Sequence, residues 1–221
     1  MANPATLLLA LFRAWNQPND TADNVRQPAV DGWVTQRLAV KHIDAIEQLL
    51  REMEQAGKSV AVYRNRLPQW QQAVFVHPGG WVGNGTAKID STAIDFLEAL
   101  AGVLDDYVPK VVTGGIEQLR SYVSTVREAL DSDESIPATM KLHIRQVISH
   151  LEWCIDHYEV AGDFELQIAT ERLAAVVVRA TGASNNRDRW RKVYDVWVWP
   201  FAVNMLASIP SAALAHLTIG S

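Results

Sequence analysis

Along most of the chain, apolar residues recur at spacings of three and four, the period of a helix that buries one face. The rhythm is most regular in the second half. Ile94, Leu97, Ala101, Leu104 and Val108 form one stripe that stops before Pro109, and Ile116, Leu119, Val123, Val126 and Leu130 form a second. Met140, Ile144, Val147, Leu151, Cys154 and Tyr158 make a third, ending at Gly162; Leu166, Ala169, Leu173, Val176 and Ala180 make a fourth, closed by Gly182. The links PKVVTGG, DSDESIP and AGD are short, and short links favour antiparallel neighbours. The pattern predicts an all-α fold, a helical bundle with an up-and-down four-helix core at about 90–181.

The first half is less regular. Asn3 before Pro4 reads as an N-cap with proline in the first turn, which predicts a helix over 4–15. A polar stretch, 17–27, reads as loop. Ile43, Ile46, Leu50 and Met53 mark a long helix over about 31–56, with Gly57 placed to end it. Residues 59–66 fit neither helix nor strand period cleanly, and Pro68 opens a short helix carrying Trp70, Val74 and Phe75. The stretch HPGGWVGNGTA, 77–87, is the clearest loop. Ser135 ahead of Pro137, and Asp163 with Glu165, mark helix starts. Trp33, Trp70 and Trp153 are expected to pack against helices. Three regions follow: N-terminal helices and a glycine-rich loop packing on the core (1–89), the bundle (90–183), and a basic linker with an apolar C-terminal helical segment (184–221).

That last region has two parts. SNNRDRWRKVYD places Arg187, Arg189, Arg191 and Lys192 against Asp188 and Asp195, and residues 196–220 then run for 25 positions without a formal charge. As a helix this run would span roughly 37 Å, against a hydrocarbon core of about 30 Å. Trp190, Tyr194, Trp197 and Trp199 stand where an interfacial aromatic belt would lie, beside the basic flank. Pro200 and Pro210 interrupt the run, however, and Asn204, Ser208, Ser211 and His216 make it poorly apolar by membrane standards. Burial against protein, or an interface between copies, fits the same pattern. Under either reading the contact residues are Trp190, Trp197, Trp199, Phe201, Met205, Leu206, Ile209, Leu214 and Leu217.

Composition narrows the classes. Apolar residues are 48% of the chain and charged residues 20%, which excludes a disordered chain. A net charge of −5 argues against a nucleic-acid binder with a chain-wide basic surface. The 14 arginines against 6 lysines fit a high-GC bacterial or phage genome. One cysteine, Cys154, excludes an internal disulfide and any multi-thiolate zinc site, and fits a cytoplasmic setting. The opening MANPATLLLALFRAW has no basic n-region and is interrupted by Arg13, so it reads as a helix rather than an export signal.

Candidate chemistry is sparse. Gly80 to Gly85 spells G-x-x-x-x-G, but Thr86 and Ala87 follow where a phosphate-binding loop needs lysine and then a hydroxyl residue. Arg145-Gln-Val-Ile-Ser-His150 resembles the Arg-x4–6-His motif of the HEPN ribonucleases, compact helical bundles in which arginine and histidine from two protomers converge to cleave RNA. The resemblance spans six residues. It lacks the polar residue often found after the arginine, and implies Arg145 and His150 as the catalytic pair. Residues five apart on a continuous helix stand about 140° apart, so the pair would meet only across a dimer or on a distorted helix. His143, His150 and His157 form a column, but successive members lie about 10.5 Å apart along the axis, too far to share an ion. His150 with Cys154, or Cys154 with His157, supplies two ligands at helical spacing while two more would have to come from elsewhere, so no metal or cofactor is expected.

Together these features predict a non-enzymatic helical interaction protein, self-associating through its apolar C-terminal segment, with a protein or a second copy of itself as partner. Its layout is similar to that of small bacterial or phage proteins of conflict systems, in defence or immunity. The alternatives are a HEPN-like ribonuclease using Arg145 and His150, and an effector anchored at the inner membrane through 187–220.

Overall fold

The computed structural model describes residues 2–27, 32–77, 79–82, 87–108, 110–111 and 113–195. Among them the protein is all-α, with one isolated bridge between Gln17 and Ala87. The chain divides into two compact units, the first running from Ala2 to Tyr107 and the second beginning at Val108.

The first unit holds α1 (Pro4–Trp15), α2 (Ala22–Arg26), α3 (Trp33–Gln55), α4 (Ala61–Arg64), α5 (Leu67–Phe75) and α6 (Ser91–Asp105). Helix α1 starts where the sequence says it should. The Asn3 side chain accepts from the backbone N–H groups of Ala5 and Thr6, both at 3.0 Å, satisfying two donors that the helix itself leaves orphaned. Its Nδ2 donates to Ala101 O at 2.9 Å and Asp105 Oδ1 at 2.7 Å, so one residue both caps α1 and ties it to the end of α6. Helix α1 packs on α3 and α6, and α3 packs on α5. Leu8, Phe12, Ile46, Leu50, Leu97 and Leu104 are fully buried among them. Trp70 is fully buried too, and its Nε1 donates to Ala93 O at 2.9 Å, which meets the polar requirement of a buried indole. Trp33 does not pack inward. It is 56% exposed and stacks on Trp81, with ring centroids 5.4 Å apart.

The second unit holds α7 (Gly115–Ser132), α8 (Ala138–Asp156) and α9 (Tyr158–Ala183), followed by a helical segment over 187–195. Helix α8 packs on both α7 and α9. Arg120 pairs with Asp156 at 2.7 Å, Arg127 with Glu152 at 2.6 Å and Arg145 with Asp131 at 2.9 Å. Numbers rise along α7 as they fall along α8, the mark of an antiparallel pair. All three bridges are half exposed and add little stability. The burial of Leu119, Val126, Leu130, Ile144, Leu151, Leu166, Leu173 and Val177 in one cluster holds the unit together. Gly162 adopts φ 75° and ψ 179°, breaking α9 after its first turn in a conformation open essentially to glycine alone.

Two expectations are corrected here. Among the described residues, the helices at 90–181 do not share one four-helix core. Helix α6 turns its buried face, Ala93, Leu97, Leu100, Ala101 and Leu104, toward α1 in the first unit, leaving α7, α8 and α9 in the second. A stripe of period 3.6 says that a helix buries a face; it does not say which neighbour receives it. Against the membrane-associated reading, no helix among the described residues is long and apolar enough to cross a membrane. Trp190, assigned to an interfacial belt, is instead fully buried in the second core. Its Nε1 donates to Asp133 Oδ2 at 2.8 Å. The expected contact residues Trp197, Trp199, Phe201, Met205, Leu206, Ile209, Leu214 and Leu217 lie outside the described residues.

Candidate metal centre

His150 and Cys154 are one helical turn apart on α8, so their side chains emerge on the same face, one above the other. That face meets α9, where Glu165 lies three residues past the Gly162 break. Asp163 anchors the restart of α9: its carboxylate accepts from Val111 N at 3.1 Å and from the Tyr158 hydroxyl. Burial, and after it this bond to Asp163, push the Tyr158 phenol above its ordinary range. Glu165 therefore stands on a stretch of helix whose starting point is held from two sides.

The result is a convergence of three different donors. His150 Nε2 is 3.3 Å from Glu165 Oε1 and 3.8 Å from Cys154 Sγ, and the three donor atoms all lie within 4.8 Å of one another. Tetrahedral zinc, with bonds of about 2.3 Å to sulfur and 2.0–2.2 Å to nitrogen and oxygen, would hold nitrogen and oxygen roughly 3.4 Å apart and nitrogen and sulfur roughly 3.6 Å apart. Both measured separations fall within a few tenths of an ångström of those values. Cys154 is fully buried, while the side chains of His150 and Glu165 are 28% and 22% exposed.

The identity of the shared atom matters. Glutamate and cysteine both face Nε2 of the imidazole. A nucleophile–base–acid relay needs the two ring nitrogens in different roles, one toward the nucleophile and one toward the acid. Both neighbours stand at one nitrogen here, so the ring is not placed for that relay. The same placement suits a cation, which would take a lone pair from nitrogen, sulfur and oxygen together.

The remaining predicted residues are spread over the second unit. Arg145 is exposed and engaged with Asp131 on α7, while His150 is engaged with Glu165 on α9, so each of the ribonuclease pair is occupied on a different side of α8. His143 and His157 are exposed, and the His157 ring stacks on Trp153 at 4.9 Å. In the basic flank, Arg187, Arg191 and Lys192 are exposed, and Arg189 donates to Glu128 O at 3.3 Å. Two of the three donors were visible as the i, i+4 pair His150–Cys154. The third donor was not, because Glu165 reads from sequence as an acidic residue at a helix start, and only the packing of α9 on α8 brings it to the pair.

No family model, no curated protein and no solved structure matches this chain.

Proposed function

We propose that this chain is a non-enzymatic helical protein that binds a borderline-soft divalent cation, with zinc as the reference ion, at His150, Cys154 and Glu165. The observation that carries this reading is the convergence of nitrogen, sulfur and oxygen donors from two helices within 4.8 Å of one another, with oxygen and sulfur each near a tetrahedral separation from the nitrogen. Bound there, the ion bridges α8 and α9. Fully buried sulfur, with the other two donors mostly covered, leaves a fourth position suited to water rather than to a substrate beside the ion, so its role is structural or regulatory. The mixed N/S/O set favours zinc or cobalt over magnesium and calcium, which prefer all-oxygen shells.

Cobalt titration of the full chain tests the reading. One equivalent should produce thiolate-to-cobalt charge-transfer absorption, which zinc then displaces. Zinc at a hundredfold excess over its dissociation constant should add about 2.7 kcal/mol of stability. Cys154→Ser should abolish the charge-transfer band and Glu165→Gln should weaken binding. The absence of that band, or an equal zinc response in both variants, sinks the proposal.

The chain is proposed to act through protein contacts, including self-association through the uncharged stretch 196–220, in a cytosolic setting that the single buried thiol suits. Light scattering on the full chain, beside a version ending at Asp195, tests this part. Equal masses for the two would remove 196–220 as the self-association element.

A further inference from the structure

The first unit contains a cleft of about 520 Å³ whose walls include Arg26, Gln69, Gln72, His77, Lys88 and Asp90. That volume lies within the range of small-molecule sites. Arg26 is the unusual member. It is a cation only 6% exposed, and its one perturbing influence is burial, which lowers its guanidinium to about 10 with no charged neighbour contributing.

Counting its donors shows what is missing. Nη1 donates to Gln36 Oε1 at 3.1 Å and Val74 O at 2.5 Å, and Nη2 donates to Ala73 O at 2.6 Å. Ala73 and Val74 close the last turn of α5, so this end of the guanidinium caps the helix and complements its dipole. The Trp15 ring lies 4.0 Å from the guanidinium carbon and the Trp81 ring 5.4 Å, covering it with aromatic faces. Three of the five N–H groups are thereby used. Among the described residues the buried Nε has no hydrogen-bond partner, and Nη2 makes one bond, to Ala73 O. With the Nη groups held by the carbonyls of Ala73 and Val74, the unpartnered donor is Nε–H, on the side edge of the guanidinium. That edge is the fork a carboxylate or phosphate oxygen pair accepts bidentately.

The rest of the cleft agrees in sign. Lys88 and His77 are exposed on its wall. Asp90, Ala93 and Ile89 bring the N-terminus of the 15-residue helix α6 to the same place, where backbone N–H groups and the dipole favour an anion. Asp90 is the opposing charge, and its carboxylate is already engaged in capping α6 through Thr92 N at 3.1 Å.

We propose that this cleft binds a small organic oxyanion, one bearing a carboxylate or a phosphate group, on the side edge of Arg26, with Lys88 as the second cation. The site is independent of the metal centre.

The test uses the full chain with inorganic phosphate, acetate and chloride as probes, following the assigned Arg26 Nε–H resonance by NMR. Phosphate or acetate should shift it saturably while chloride at equal ionic strength does not, and whichever of the two binds more tightly identifies the head group. Lys88→Gln, an exposed change outside the core, should weaken binding about tenfold with folding unaffected. Arg26→Lys keeps the charge and removes the fork, and should abolish binding; because Arg26 also caps α5, Lys88→Gln carries the decision if that variant fails to fold. No saturable shift with either oxyanion, or equal affinity in Lys88→Gln and the unaltered chain, would overturn the proposal.

Discussion

Four hydrogen bonds converge on the buried carboxylate of Asp133: from Ser135 N at 3.0 Å, Ser135 Oγ at 2.6 Å, Trp190 Nε1 at 2.8 Å and the Ser184 hydroxyl. Burial alone would raise this carboxyl, but the hydrogen bonds from Ser135, Ser184 and Trp190 outweigh it and hold the group well below its ordinary 3.8. A group depressed in the folded state contributes stability that is present above its unfolded value and lost as pH falls below it. Thermal melts should therefore show the unaltered chain losing stability steeply from about pH 4 downward. Asp133→Asn should be less stable at pH 7 and flatter across that acid range. An equal acid dependence in both would remove Asp133 as the source. Gly32 makes a second residue-scale case. A Cβ there would stand 2.3 Å from Arg26 O and 2.5 Å from Gln27 O, both backbone atoms that cannot swing aside. Gly32→Ala should cost about 1–3 kcal/mol in denaturant unfolding, although alanine is the better helix former.

Among the elements, those delimited by local chemistry were legible. The helix predicted over 4–15 is α1, because Asn3 and Pro4 define its start without help from elsewhere. The long helix predicted over 31–56 is α3, Trp33–Gln55, and Gly57 past its end takes φ 76°. The start marked by Ser135 and Pro137 is that of α8, with Pro137 at the N-cap position, while the Ser135 hydroxyl donates to Asp133 and accepts from Asn185 N. The segment 187–195 was the larger surprise. Its basic residues and tryptophan suggested a linker to an interface, yet Trp190 and Val193 are buried in the second core while Arg187, Arg191, Lys192 and Tyr194 are exposed. Helical amphipathicity was present there, but the apolar run that follows masked it. Trp190→Ala should cost about 3–5 kcal/mol through the cavity and the lost bond to Asp133. Trp190→Phe, which restores most of the volume but not the donor, should fall between. Chemical denaturation of the two variants separates packing from hydrogen bonding.

For the molecule as a whole, the placement of Trp190 sets where the chain can be cut. A version ending at Ala183 loses Ser184 and Trp190, two donors to Asp133, and opens the second core. It should melt well below the full chain, whereas a version ending at Asp195 should keep the stability of the second unit. Zinc gives an independent reading at the same scale. Hydrogen exchange should show protection gained in α8 and α9, around His150, Cys154 and Glu165, with α1 to α6 unchanged by the ion. Uniform protection across both units would contradict a site confined to the second.

The sequence by itself determined the helical class, the ends of α1 and α3, and the pairing of His150 with Cys154. All of these depend on residues within a few turns of one another, and local backbone chemistry decides them. Tertiary structure decided which helices share a core, that α6 belongs with α1, that Trp190 faces inward, and that Glu165 completes the donor set. The same apolar stripe can be buried by any complementary face, so periodicity carries no information about the neighbour. A donor set drawn from two helices, and a buried arginine held by carbonyls 47 and 48 residues away, exist only once the chain has packed.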